Sequence, residues 1–98
     1  MKNLRFEWDD RKAAANRRKH GVSFDEARTV FLDEDALLIA DEDHSEEEDR
    51  FILLGMSGQL RTLIVCHCYR EGDEVIRIIS ARKANRTERR QYDERRMG

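Results

Sequence analysis

The side chains best suited to chemistry here are arginine and histidine. The arginine fork matches a phosphate bidentately, and imidazole moves protons near neutral pH. Arg50 falls in one apolar, strand-like run and Arg77 and Arg82 in another, with His67 in a third run between them. Gly58-Gln59 and Gly72-Asp73 match two-residue type II′ hairpin turns. That register predicts Ile52 opposite Val65, Arg50 opposite His67, His67 opposite Ile78, Val65 opposite Ser80 and Leu63 opposite Arg82. Arg50 beside His67 could hold a phosphate and move a proton. A packed histidine at a sheet edge, its tautomer fixed by a neighbour, explains the same spacing and is preferred on spacing alone. Arg82 falls on the same face, about 13 Å along the strand. Arg77 falls on the opposite face unless a β-bulge shifts the alternation.

Other clusters point to simpler roles. Cys66-His67-Cys68 suggests a metal, yet a strand turns the two sulfurs one way and the imidazole the other. Structural cysteines in a buried strand are therefore expected. Asp41, Asp43 and His44 could take a hard cation, but they also read as an exposed acidic loop. There is no glycine-rich phosphate loop and no G-x-S-x-G elbow.

These side chains need elements to hold them. Leu4 to Trp8 alternates apolar and charged residues, predicting a half-buried strand. Asp9 or Asp10 can cap a following helix rich in alanine, and Gly21 can end it. The cations Arg17, Arg18 and Lys19, with His20, then complement the helix dipole. Ser23-Phe24-Asp25-Glu26 predicts a capping box, with Phe24, Ala27 and Phe31 on one helical face. Strands are expected at Ala36–Ala40, Arg50–Ser57, Leu60–Arg70 and Val75–Arg82. Asn85-x-x-Glu88 opens a last helix reaching about Arg96. The order β-α-α-β-β-β-β-α gives an α+β fold with a mainly antiparallel sheet packed by helices. Both sheet faces read as apolar, and the helices look too sparse to cover them. Part of one face is therefore expected to be closed by a partner protein.

Ninety-eight residues leave room for one domain spanning 1–98. No apolar window is long enough to cross a membrane. Met1-Lys2-Asn3-Leu4-Arg5 has no secretory stretch, and two cysteines make no disulfide framework, so a cytoplasmic location is expected. The net charge of −2 conceals three blocks. Residues 1–22 carry seven Lys/Arg against three acids; residues 23–49 carry one Arg against twelve acids; residues 50–98 carry eleven Lys/Arg against six acids. Binding answers to such local fields rather than to the total. The basic tail alone nevertheless reads first as a solvated helix laced with Glu88, Asp93 and Glu94.

Phe6-Glu7-Trp8-Asp9 with Lys12 and Asn16, then Lys19-His20-Gly21-Val22-Ser23-Phe24-Asp25-Glu26-Ala27, resembles the opening of the BrnT toxins. Arg77-Ile78-Ile79-Ser80-Ala81-Arg82-Lys83-Ala84 with Glu88-Arg89 and Tyr92 is similar to their closing motif. Asp41, His44, Glu48, Arg50 and Gly55 fit the middle. The resemblance implies a RelE-like fold and a type II toxin–antitoxin role: a metal-independent endoribonuclease that cleaves RNA and stops translation. It implies no cofactor. It also implies a BrnA-like antitoxin in a hetero-oligomer, with operator DNA bound only through that antitoxin and the operon repressed by the complex.

On that basis Arg82 and Arg77 are expected to stabilise the phosphate, His67 to transfer protons, and Tyr92 to add a stacking face or a hydroxyl. Lys19, Arg50, Arg86 and Arg89 are expected to contact the RNA backbone. The competing class is a non-catalytic adaptor that folds against an antitoxin and tunes its DNA binding. A weaker alternative is a metal-dependent nuclease using Asp41, Asp43 and His44.

Overall fold

The computed structural model describes residues 4–41 and 49–98. Strand β1 (Arg5–Glu7) precedes helices α1 (Asp10–His20) and α2 (Phe24–Thr29), and a 3-10 turn covers Val30–Leu32. Strands β2 (Leu37–Ala40), β3 (Arg50–Met56), β4 (Thr62–Arg70) and β5 (Val75–Lys83) follow, then helix α3 (Arg86–Met97). The acidic stretch expected at 41–49 contains Asp43, His44 and Glu48, which lie outside the described residues.

Local chemistry sets the helix ends. The Asp9 carboxylate accepts from the Arg11 and Lys12 amides at 2.8 and 3.1 Å, and Gly21 closes α1 in the left-handed region at φ 68°. Asn85 and Glu88 form the full reciprocal capping box of α3. At α2 the expected box is only half made. Ser23 caps the Glu26 amide at 3.0 Å, but the Glu26 carboxylate accepts instead from Ser57 Oγ at 2.7 Å and Arg61 Nε at 2.9 Å. A buried carboxylate gains more from an arginine than from one backbone amide, so the tertiary partner wins.

The sheet order is β1-β5-β4-β3-β2, antiparallel except where β1 runs parallel to β5. One face packs on α1 and α2 through Phe24, Ala27, Leu53, Leu63, Val65 and Ile78. Burying each of the larger of these side chains contributes about 1.5–3 kcal/mol. The other face packs on α3 through Leu54, Ile64, Ala84 and Tyr92. Gly55 sits where the segment before β2 crosses the sheet: a Cβ there would lie 2.9 Å from both Ala36 Cβ and Val30 Cγ1. No helix among the described residues is long and apolar enough to cross a membrane.

Two local irregularities overturn the expected register. The β3–β4 loop has three residues rather than two: Ser57 N bonds Arg61 O at 2.8 Å, and Leu60 takes φ 62°. That extra residue slides the ladder by one, so Ile52 faces Cys66, Arg50 faces Cys68, and His67 faces Phe51. The β4–β5 turn keeps His67 opposite Ile78 as expected, with positive φ at Gly72 and Asp73, the mark of type I′ rather than II′. A bulge beyond that pair leaves Ile79 without a ladder partner, so Ser80 faces Cys66, Ala81 faces Val65, Arg82 faces Ile64 and Lys83 faces Leu63.

Candidate active site

The two irregularities decide which cations share a face. Residues directly opposite in a ladder project to the same side. Arg50, Cys68, Arg77 and Glu7 therefore form one row across β3, β4, β5 and β1. Ile52, Cys66 and Ser80 form a second row, and Leu54, Ile64 and Arg82 a third. The bulge at Ile79 brings Arg77 and Arg82, five residues apart, onto one face. The longer β3–β4 loop brings Arg50 there too.

α3 covers only the Leu54–Ile64 end of this face. Beyond it lies an open groove of about 390 Å³, with Ile52, Ile64 and Ile79 as floor and His20, Asp41, Arg50, Cys66, Ser80 and Arg82 around them. Arg82 is held by Glu88 through two parallel bonds of 2.8 Å, and its Nη1 also reaches Lys83 O at 3.3 Å. Glu88 Oε1 accepts from the Asn85 amide at 2.8 Å as well, so the helix cap and the arginine clamp are one carboxylate. The pairing holds the Glu88 carboxyl below its usual range and the Arg82 guanidinium firmly charged. Among the described residues, the Nε–H and one Nη2–H of Arg82 remain as donors for a phosphate. Burial pushes the Cys66 thiol up, which makes it a poor thiolate nucleophile.

His67 is fully buried on the opposite face, among Phe31, Phe51 and Tyr69. Its Nδ1 donates to Val65 O at 3.2 Å, leaving Nε2 to accept from the Tyr69 hydroxyl at 3.4 Å. Burial lowers its pKa, so it stays neutral. The expected Arg50–His67 neighbourhood is thus corrected: the sheet separates them, and the packed histidine is what forms.

Arg77 shares the face of Arg82 but bonds Glu7 at 2.5 Å and does not line the groove. Tyr92 is buried at the covered end of the face, where its hydroxyl donates to Asp33 Oδ2 at 2.6 Å. Burial first, then this carboxylate, push the phenol up to about 12. Tyr92 pins α3 to the turn before β2 and is not brought to the groove.

Lys19 is exposed on the last turn of α1, next to the groove residue His20, and Arg86 is exposed on the first turn of α3. Arg89 donates to Ala84 O at 2.9 Å. Cys66 and Cys68 occupy the groove face while His67 occupies the other, so the triplet is split between two faces.

His20 is the groove residue that reading for chemistry alone missed, because the dipole of α1 already explained it. The available signal was its spacing, four residues after Asn16 on the same helical face.

A family model described as the ribonuclease toxin BrnT of type II toxin–antitoxin systems matches residues 8–88. The structure is similar to the crystal structure of the Brucella abortus ribonuclease toxin BrnT, with a TM-score of 0.64 and 23% identity over 86% of this chain and 100% of that one. No curated protein sequence matches the chain. From its matched sequence, supported by the shared mixed α+β fold, this chain belongs to the BrnT family of ribonuclease toxins of type II toxin–antitoxin systems.

Proposed function

We propose that the chain is a metal-independent, RelE-like endoribonuclease acting in the groove between β3, β5 and α1. The observation that carries this reading is the convergence of Arg50 and Arg82 on the half of the sheet that α3 leaves open. An RNA strand laid there presents its phosphate to guanidinium donors. The ribose 2′ oxygen attacks the adjacent phosphorus, the bond to the 5′ oxygen breaks, and a 2′,3′-cyclic phosphate and a 5′-hydroxyl result. Arg82 stabilises the charge that builds on the equatorial oxygens, from a position already fixed by Glu88. Arg50 holds the strand, while Lys19, Arg86 and Arg89 extend the cationic track. Arg77, tied to Glu7, supports the local field from further along the same strand, five residues before Arg82. Cleavage of cellular RNA in the cytoplasm stops translation.

A BrnA-like antitoxin completes the system as a hetero-oligomer that holds operator DNA through the antitoxin and represses its own operon. Its docking would cover apolar surface such as Leu38 and Ile39 on the edge strand β2, which are 54% and 46% exposed.

The second reading is a non-catalytic adaptor. It is favoured by the carboxylate partners of Arg77 and Arg82, which an enzyme must work beside. Incubating the purified chain with RNA in excess chelator separates the two. Fragments ending in cyclic phosphate support the enzyme, and intact RNA beside tight antitoxin binding supports the adaptor. The metal-dependent alternative built on Asp41, Asp43 and His44 fails if cleavage survives the chelator.

A further inference from the structure

We propose that His20 delivers the proton to the departing 5′ oxygen, an assignment that rests on the ribonuclease reading above and names its general acid. The placement of His20 follows from a clamp one turn earlier. β1 ends at Glu7, opposite Arg77, so from the bulge onward β5 keeps β4 on one side and has no strand along the edge that β1 occupied. Buried Asn16 takes that place: its Nδ2 donates to Ala81 O at 2.8 Å and its Oδ1 accepts from Ala81 N at 3.0 Å. The same Nδ2 donates to Val22 O at 3.0 Å, fixing the chain just past the end of the helix. His20, four residues after Asn16, lies on the same side of α1. It is thereby carried to the β5 edge at Ser80–Arg82, where it lines the groove with Arg50 and Arg82.

The reaction needs a proton donor there. As the 2′ oxygen bonds to phosphorus and loses its proton to water, the 5′ oxygen leaves with the P–O electron pair and must be protonated. Arg50 and Arg82 do not release protons at neutral pH. As a class, carboxylic acids are already ionised at that pH and serine hydroxyls are too weakly acidic. Burial raises the Cys66 thiol, which makes it a worse donor still. Imidazole alone among these side-chain types gains and loses a proton near neutrality. His67 sits across the sheet, buried in an aromatic cage. His20 as imidazolium gives its proton to the 5′ oxygen and recovers one from solvent. The charged groups around it are Arg50, Arg82 and Asp41 across the groove and Arg17, Arg18 and Lys19 on its own turn.

The test uses the full chain with two RNA oligonucleotides, identical except for a bridging sulfur in place of the 5′ oxygen at the cleavage position. Sulfur leaves as thiolate and needs no proton. His20→Gln should cleave the oxygen substrate at least about 100-fold more slowly than wild type, the usual scale of a general acid. It should cleave the sulfur substrate within a few-fold of wild type. His20→Lys, which keeps the charge, should not restore cleavage of the oxygen substrate. Equal losses on both substrates, no loss on either, or restoration by lysine would each overturn the assignment while leaving the ribonuclease reading in place. A wild-type chain inert on both RNAs would overturn that reading as well.

Discussion

Glu88 grips Arg82 with both carboxylate oxygens at 2.8 Å, across the junction where the last strand becomes the last helix. The motif that starts the helix thereby also orients the arginine at the groove, because the same carboxylate accepts from the Asn85 amide. A guanidinium fixed before substrate arrives has no reorganisation left to do when charge develops on phosphorus. Glu88→Ala should slow RNA cleavage by about 10-fold and lower stability by about 1 kcal/mol through the lost cap. Glu88→Gln, which keeps one acceptor for the amide, should recover most of the stability and less of the activity. Melting curves and cleavage rates of the two variants check this.

The Asn16 clamp predicts a stability effect larger than its size suggests. Replacing Asn16 with Leu leaves both the N–H and the C=O of Ala81 without their partner, at about 1–3 kcal/mol for each group left unpaired. Urea denaturation should show a loss of at least 2 kcal/mol, and Asn16→Asp should fall between the two because it lacks the donor.

The buried Glu26 makes an acid-side prediction. The Arg61 hydrogen bond holds its carboxyl below the usual glutamate range, with Ser57 acting in the same direction against desolvation. A carboxyl depressed in the folded state contributes stability that is present above its unfolded pKa and lost as pH falls through the folded one. The thermal midpoint should therefore drop as pH is lowered below about 4.5, and Glu26→Gln should flatten that slope. At neutral pH Glu26→Ala should cost about 2–3 kcal/mol, discounted for the 32% exposure of the Arg61 side chain.

His67 and Tyr92 should prove separable from cleavage. Burial lowers the His67 pKa, so the unfolded chain takes up its proton first and stability should fall as pH drops below about 6.5. His67→Phe should remove that mid-range slope and retain RNA cleavage. Tyr92→Phe should lower stability by about 1 kcal/mol through the lost Asp33 bond, also with cleavage retained.

The elements and the site were not equally legible from sequence. Asp9, Gly21, Ser23 and Asn85 marked helix ends because capping is local chemistry that a few neighbouring residues determine. The turn expected at Gly58-Gln59 failed because Leu60 adopts a left-handed conformation that leucine rarely takes, lengthening the loop by one residue. The bulge at Ile79 carries no glycine to mark it, and it reverses the face of everything after it. Because a one-residue slip exchanges sheet faces, the extra loop residue accounts for His67 being expected beside Arg50, and the bulge accounts for Arg77 being expected across the sheet from Arg82. Arg82 kept its place in the groove, since the motif around it fixes both the strand end and the helix start.

The measurement that bears most directly on this account is cleavage of RNA by Arg82→Ala in excess chelator, with end-group analysis of the products. Arg82 is 42% exposed, so its loss should leave the thermal midpoint within a few degrees of wild type. The wild-type chain should yield cyclic-phosphate and 5′-hydroxyl ends, and the variant should be slower by about 10²–10³-fold. A folded Arg82→Ala chain that cleaves at the wild-type rate would contradict the account.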